Sequence, residues 1–319
     1  MSRRDRNPDT LFAAALEGDR SALARLLSMI EQGGDDARTV GRLSYPLGGS
    51  SYTVGLTGAP GAGKSTLTSS IIGHLRKMDL EVAVLAIDPS SPFTGGAILG
   101  DRVRMQDHAT DRGVFIRSMA TRGHLGGLSL AAPEAIRLLD AIGRLWVLVE
   151  TVGVGQVEVE IAGKADTTVV VVNPGWGDSV QANKAGLMEI ADVFVINKAD
   201  RKGVDETRRD LEQMLDLSDL PHEAWRPPIV PTIGSTGEGV EALLAERGAW
   251  VTANRNGGCG VVEPHSRRVD VVDDDRRGGL AGPPGRAGSL NRRAALIPPG
   301  RRSPFTAPVS SPRRSPGSD

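Results

Sequence analysis

The sequence predicts a doubly wound α/β fold built on a mostly parallel sheet. From about residue 52, short apolar runs of strand length alternate with helical stretches. Several of these runs are apolar on both faces, as in parallel strands that helices cover on each side. A glycine-rich turn leads from the first run into the first helix of this part, which is the usual strand-to-helix connection of the architecture.

The composition narrows the class of protein. The chain has 319 residues, 39% of them hydrophobic, which is enough for one large domain with extensions or for two ordinary domains. The net charge of −1 and the aromatic content of 3% do not favour a nucleic-acid partner. Cys259 is the single cysteine, so an internal disulfide and a multi-cysteine zinc site are excluded. The apolar runs are too short to cross a membrane and the N-terminus lacks a secretory pattern, so we expect a cytoplasmic protein without membrane contact.

Residues 1–45 are predicted to form an N-terminal helical extension. Two apolar stripes with helical spacing indicate two helices, the first carried by Leu11, Phe12, Ala15 and Leu16, the second by Leu23, Leu26, Leu27 and Ile30. Gly18 and Asp19 separate them, and Asp19 is a candidate N-cap for the second helix. The following Gly-Gly-Asp-Asp run, residues 33–36, predicts a turn.

Residues 46–251 are predicted to form the α/β domain. Seven apolar runs are the strand candidates: Tyr52–Thr57, Glu81–Ile87, Gly113–Arg117, Trp146–Glu150, Thr167–Val172, Val193–Asn197 and Pro228–Ile233.

A phosphate-binding loop is the strongest motif in the chain. Residues 58–65, Gly-Ala-Pro-Gly-Ala-Gly-Lys-Ser, fit the P-loop pattern in full and lie between a predicted strand and a predicted helix. The glycines let backbone N–H groups face phosphate oxygens, Lys64 neutralises them, and Ser65 offers a hydroxyl to Mg²⁺. A chance glycine-rich turn is the weaker interpretation. The predicted binding positions are Gly58, Ala59, Pro60, Gly61, Ala62, Gly63, Lys64, Ser65 and Thr66.

A second motif selects the nucleotide. Asn197-Lys198-Ala199-Asp200 follows an apolar strand. A carboxylate at Asp200 can accept from both N1 and N2 of guanine, a donor pair that adenine lacks, so we predict GTP rather than ATP as the substrate. Lys198 can lay its stem on the base, and Asn197 can brace the loop. The later loop around Ser235, residues 234–239, either closes over the base with backbone amides or is a simple tight turn.

Acidic residues near the P-loop are candidate Mg²⁺ ligands. Asp88 and Glu150 each end a strand, and Asp101 follows a glycine-rich stretch. Glu150 and Gly153 occupy the place of the Asp-x-x-Gly motif of GTPases, in which the glycine amide contacts the γ-phosphate. Gln156 is a candidate for orienting the attacking water. A helix cap or a solvated loop is the alternative role for each acid.

Three longer blocks carry a family resemblance. Residues 82–105, 116–127 and 149–156 resemble the MeaB/ArgK family, GTPase chaperones of the cobalamin-dependent methylmalonyl-CoA mutase. The resemblance extends from about Leu11 to Trp250. In that family the Glu-x-x-Gly form of the switch motif is normal.

The resemblance implies a Mg²⁺-dependent GTPase that protects the mutase and gates its cofactor loading. Asp88, Asp101 and Glu150 match the acids that the family places around Mg²⁺, and Lys64 and Ser65 match its P-loop. The predicted metal-site residues are therefore Ser65, Asp88, Asp101 and Glu150, and the predicted catalytic residues are Lys64, Asp101, Glu150 and Gln156. The resemblance also implies a homodimer. The older name ArgK points to an alternative, a P-loop kinase or ATPase linked to basic amino-acid transport.

The last segment, residues 252–319, has the composition of a disordered tail. Residues 254–319 contain 10 Gly, 9 Pro and 12 Arg but no Lys, without helix or strand periodicity. A solvated tail without a partner is favoured over a basic arm for nucleic acid or phospholipid. Family members continue here into helices that help to form the dimer, and this chain departs from that pattern. One hypothesis is a GC-rich coding region read in another frame, which a tryptic peptide from residues 291–319 of the native protein would test.

Overall fold

A parallel seven-stranded sheet forms the centre of the molecule. The computed structural model describes residues 7–88, 108, 110–120, 127–151, 164–175, 189–217 and 225–246. The strands are β1 (Tyr52–Gly58), β2 (Val82–Asp88), β3 (Val114–Ala120), β4 (Trp146–Thr151), β5 (Thr167–Val172), β6 (Val193–Asn197) and β7 (Ile229–Thr232). Their order across the sheet is β3-β2-β4-β1-β5-β6-β7, and each pairing is parallel. The predicted fold class is confirmed, and each strand candidate corresponds to one strand. The predicted tail, residues 252–319, lies outside the described residues.

Six α-helices are labelled here within the described ranges. They are α1 (Pro8–Leu16), α2 (Arg20–Gln32), α3 (Gly34–Ser44), α4 (Lys64–Lys77), α5 (Gly127–Ala141) and α6 (Val204–Leu217). A 3₁₀ turn, Tyr45–Leu47, connects α3 to the segment before β1. Residues 240–246 are also helical.

The N-terminal segment contains one helix more than the sequence analysis predicts. Asp19 caps α2 as expected, because its carboxylate accepts from the backbone N–H groups of Ser21 and Ala22. The turn predicted at residues 33–36 is shorter, however, and α3 begins at Gly34. Asp35 and Asp36 lie in the first turn of α3, where the helix dipole favours negative charge. These acidic residues mark a helix start rather than a loop.

Helices cover both faces of the sheet. On one face, α1–α3 and α5 share a hydrophobic core with β2, β3 and β4, and α6 packs on β5 and β6. On the other face, α4 packs on the central strands together with Val240 and Leu243 from residues 240–246. Alternate residues of β4 enter the two cores, Val147 and Val149 on one side and Leu148 on the other. This alternation explains why the strand is apolar at every position.

The strand order reverses beside β1. The chain runs outward from β1 to β2 and β3, returns to place β4 next to β1, and then continues on the other side through β5, β6 and β7. In open α/β sheets of this kind, ligands bind beyond the carboxyl ends of the strands at the point of reversal. The loops after β1, β4 and β6 are therefore the region in which to look for a site.

Candidate functional site

The P-loop follows β1 with a backbone that requires glycine. Gly58, Gly61 and Gly63 have φ values of +138°, +76° and +92°. A Cβ on Gly58 would overlap the carbonyl oxygen of Val171 in β5, and a Cβ on Gly63 would overlap the side-chain amide of Asn197. Two of the three glycines therefore permit a close approach as well as an unusual backbone angle.

The remaining P-loop positions divide into a buried base and an exposed tip. Ala59 and Ala62 are buried, and the N–H of Ala62 donates to the carbonyl oxygen of Ala59 over 3.1 Å. Pro60 lies at the exposed tip. Thr66, in the first turn of α4, is also exposed.

The side chain of Lys64 folds back inside the loop. Its Nζ donates to the carbonyl oxygens of Gly58 and Ala59 over 2.6 and 3.2 Å, and the residue is buried. The ammonium group thus places a positive charge at the N-terminus of α4, whose own dipole adds to the attraction for an anion. This is a ready-made environment for phosphate oxygens.

Ser65 and Glu150 meet at the floor of the site. The Ser65 hydroxyl donates to Oε1 of Glu150 over 2.5 Å, and Glu150 is 2% exposed. Strands β1 and β4 pair with Leu56 opposite Glu150, which brings the carboxylate to the loop from the neighbouring strand. A hydroxyl and a carboxylate are hard oxygen donors of the kind that Mg²⁺ prefers. Within the described part of the chain, no group of three or more His, Cys, Asp or Glu residues could hold a metal ion by itself.

Asn197 connects the P-loop to the far edge of the sheet. Its Nδ2 donates to the carbonyl oxygens of Ala62 and Gly63 over 2.9 and 3.3 Å. Its Oδ1 accepts from the N–H of Gly234 over 2.9 Å and from the hydroxyl of Thr232 over 3.2 Å. One buried side chain therefore holds two loops that are far apart in sequence.

The residues after Asn197 turn sharply over the P-loop. Lys198 has a φ of +60°, which is uncommon for a residue with a side chain. Its Nζ donates to the carbonyl oxygen of Gly61 over 2.6 Å, so the stem of Lys198 lies along the loop. Asp200 is exposed, and the neighbouring Ala199 N–H donates to the carbonyl oxygen of Thr232 over 3.0 Å. Asp200 is thus exposed at the surface, two residues after the Lys198 that contacts the P-loop.

The loop after β7 lies on the same side of the sheet. Ser235 is exposed, and the preceding Gly234 is held by Asn197 and by Ser70 of α4, whose hydroxyl donates to the carbonyl oxygen of Gly234 over 2.5 Å. The contact of Ser70 escapes the sequence analysis, since a serine in a helix matches no motif. The two partners are 164 residues apart along the chain.

Several predicted site residues lie outside the described residues. These are Asp101, Gly153 and Gln156, and for Asp88 only the backbone position at the end of β2 is described. Hydrogen bonds bring together the P-loop, Glu150, Asn197, Lys198 and the loop around Ser235, whereas for Asp200 the structure gives an exposed position two residues after Lys198. Their proposed roles in binding and hydrolysis remain predictions. None of the helices in the described ranges is long and apolar enough to span a membrane.

Comparison with known proteins identifies relatives that carry GTPase names. The model of the family described as methylmalonyl Co-A mutase-associated GTPase MeaB matches residues 23–273. This matched range ends inside the segment that the sequence analysis assigns to the tail.

Three relatives illustrate the spread of the similarity. A Pyrococcus horikoshii protein named as a GTPase is 55% identical over 237 residues, which cover 74% of this chain and 75% of the relative. The GTPase ArgK of Escherichia coli is 38% identical over 234 residues, 71% of each chain. The mitochondrial methylmalonic aciduria type A homolog of Mus musculus is 33% identical over 255 residues, 74% of this chain and 61% of the relative.

A solved structure shares the fold. The crystal structure of a LAO/AO transport system kinase superposes with a TM-score of 0.65 at 27% identity and covers 84% of this chain and 81% of its own.

Proposed function

Because the chain belongs to the methylmalonyl-CoA mutase-associated GTPase family, we propose that its GTP hydrolysis protects a cobalamin-dependent methylmalonyl-CoA mutase and gates the loading of the mutase's cofactor. The chain is a GTPase of this family, and guanine nucleotide is its ligand. The observation that supports the partner is the family match over residues 23–273.

Recognition of GTP divides between two ends of the site. At one end, the P-loop amides and the ammonium group of Lys64 hold the phosphates. At the other, the exposed carboxylate of Asp200 accepts from N1 and N2 of guanine, and Lys198 covers one face of the base. Asn197 bonds to the P-loop and to the loop around Ser235, so it keeps the two ends in register.

Hydrolysis depends on charge placement around the γ-phosphate. Lys64 stabilises the negative charge that develops on the phosphate oxygens, and the amide of Gly153 is our candidate for a further hydrogen bond. Gln156 is our candidate for orienting the attacking water. Ser65 and Glu150, together at 2.5 Å, fit a Mg²⁺ site, with Asp88 and Asp101 as further candidate ligands. When bound, Mg²⁺ neutralises charge on the β- and γ-phosphates.

The test measures nucleotide-dependent association and turnover. We expect the immobilised chain loaded with a non-hydrolysable GTP analogue to retain a cobalamin-dependent mutase from extract, and purified mutase to raise the GTPase rate. Lys64→Ala is the nucleotide-deficient control and Lys77→Ala, an exposed lysine at the other end of α4, is its matched control. Equal retention by both variants, with a rate indifferent to mutase, would contradict the coupling.

The names of two relatives support a second candidate function. ArgK and the LAO/AO transport system kinase suggest phosphate transfer linked to basic amino-acid transport. That activity requires ATP as donor, whereas Asp200 favours guanine. Competition binding distinguishes them: we expect GTP to displace labelled GDP far better than ATP does, and no transfer of phosphate from ATP to arginine or lysine.

A homodimer is a further proposal from the family. Light scattering of the native chain, with and without residues 252–319, would show whether it forms and whether the last segment contributes to it.

A further inference from the structure

The loop after β7 has a shape that its own backbone maintains. The N–H of Ile233 donates to the carbonyl oxygen of Glu238 over 3.0 Å. The N–H groups of Thr236 and Gly237 both donate to the carbonyl oxygen of Ile233, over 3.1 and 2.9 Å. These bonds close the turn without help from another element. The shape of the loop is therefore fixed by its own hydrogen bonds, whereas its position on the protein depends on contacts with other elements.

Its position depends on Gly234, which is bonded on both sides. The N–H of Gly234 donates to Oδ1 of Asn197 over 2.9 Å, and its carbonyl oxygen accepts from the Ser70 hydroxyl over 2.5 Å. A Cβ on Gly234 would lie 3.1 Å from that Oδ1 and 3.2 Å from the backbone nitrogen of Leu67. The loop is thus pressed against α4, and Ser70 supplies the hydrogen bond that joins it to the helix.

The same helix begins at the phosphate-binding residues. Lys64 and Ser65 form its first turn, and Ser70 lies roughly 9 Å further along the axis than Lys64, at 1.5 Å per residue. Leu67 and Thr68, between them, are buried. A helix packed in this way is rigid, so it sets the distance between the P-loop and the loop after β7.

We propose that Ser70 is a positioning residue for guanine recognition. Through Gly234 it holds the next residue, the exposed Ser235, so that the backbone N–H of Ser235 can donate to the keto oxygen of the base. Ser70 does not touch the nucleotide. The proposal rests on GTP binding by the chain but not on the mutase, which takes no part in the test, so failure of the mutase proposal would show only in the association experiment.

Removal of the hydroxyl tests the proposal in the full chain. A neutral hydrogen bond of this kind is worth enough to change an equilibrium about three- to ten-fold. We expect Ser70→Ala to weaken GDP binding and raise KM for GTP by that factor, with kcat within about two-fold of the unmodified chain. Ser70→Thr retains a hydroxyl and should restore both values.

A neighbouring serine is the matched control. The hydroxyl of Ser69 lies 3.1 Å from Nε2 of His108 and makes no contact with Gly234 in the described residues. We expect Ser69→Ala to leave GDP binding unchanged. Equal losses in Ser69→Ala and Ser70→Ala would indicate a general effect on α4 and would overturn the proposal.

A nucleotide with an altered base shows whether Ser70→Ala affects the contact with the base or the stability of the protein in general. The diphosphate of 2-aminopurine riboside lacks the keto oxygen of guanine, so the N–H of Ser235 has no acceptor to meet. It also lacks the N1–H that donates to Asp200, but that loss weakens binding by the unmodified chain and by Ser70→Ala alike. The penalty of Ser70→Ala should therefore shrink to less than about two-fold with this nucleotide. An equal penalty for both nucleotides, or GDP binding unaffected by Ser70→Ala, would overturn the proposal.

Discussion

The phosphate end and the base end of the site are held in different ways. The P-loop is built from consecutive residues, with glycines at positive φ and a lysine that bonds back to Gly58 and Ala59. The base end consists of two loops, after β6 and after β7, joined to each other and to α4 by Asn197 and Ser70. Local geometry therefore dominates at one end, and long-range hydrogen bonds dominate at the other. Substitutions at the two ends should fail in different ways.

The largest effect is expected at the phosphate end. Lys64→Ala removes the buried ammonium group and should reduce GTP turnover by ~10³-fold or more, because the other lysine on the loop, Lys198, contacts Gly61 from the exposed side. Lys77→Ala is the matched control on the same helix. Turnover measured by phosphate release at saturating GTP checks this, and a variant that retains more than a tenth of the activity would remove Lys64 from the catalytic set.

The next effect is expected at the base end. Asp200→Asn replaces an acceptor with a donor that faces guanine donors and should weaken GTP binding by about 2–4 kcal/mol. Xanthosine diphosphate carries a carbonyl oxygen in place of the N2 amino group of guanine. This acceptor suits the amide that Asp200→Asn introduces, so the variant should bind xanthosine diphosphate more tightly than the unmodified chain does. Asp210→Asn, an exposed acid on α6, is the control. If GTP and ATP bind the unmodified chain equally, the guanine assignment is wrong.

Glu150 should separate binding from chemistry. Glu150→Ala removes the carboxylate that accepts from Ser65 and should lower kcat on the order of 10–100-fold, while GDP binding changes much less. Glu150→Gln keeps the size of the side chain and tests whether its charge is required. Magnesium titration of the residual rate is the measurement, and full hydrolysis by Glu150→Ala would exclude this residue from the site. A corresponding loss is predicted for Asp101→Ala.

The smallest effect is expected at the last turn of α4, far from both ends. Arg76 bonds to Asp111 over 2.8 Å, and this bond, together with the N–H of Gly113, holds the pKa of the Asp111 carboxyl below its ordinary value of 3.8. The Asp111 carboxyl therefore binds a proton more readily in the unfolded chain than in the folded one. The ion pair stabilises the fold fully above the ordinary pKa, and this contribution is lost as the pH falls through the lowered pKa.

We expect Asp111→Asn to lower the melting temperature slightly near neutral pH. The difference from the unmodified chain should close as the pH falls through the lowered pKa of Asp111. Thermal unfolding at several pH values measures it, and Asp79→Asn, at an almost fully exposed partner of Arg76, is the control. A difference that persists in strong acid would assign the effect to something other than this ion pair.

Much of the architecture follows from sequence patterns alone. The seven strands, the parallel sheet and the Asp19 cap appear as local periodicity and capping signals. The start of α3 does not, because two glycines before Asp35 resemble a turn until the helix that follows is seen. Strand pairing order and the place of reversal beside β1 also required the structure.

The P-loop with its lysine, the Asn-Lys-x-Asp motif and the candidate acid Glu150 were determined by the sequence itself, because each is a short run whose chemistry depends on adjacent residues. The tertiary structure alone decided that Asn197 bonds to Ala62 across 135 residues and that Ser70 bonds to Gly234 across 164. The physical reason is that parallel strands align their carboxyl ends at one edge of the sheet whatever their distance in the chain. A hydrogen bond formed there depends on which strands are neighbours, and no local pattern records that.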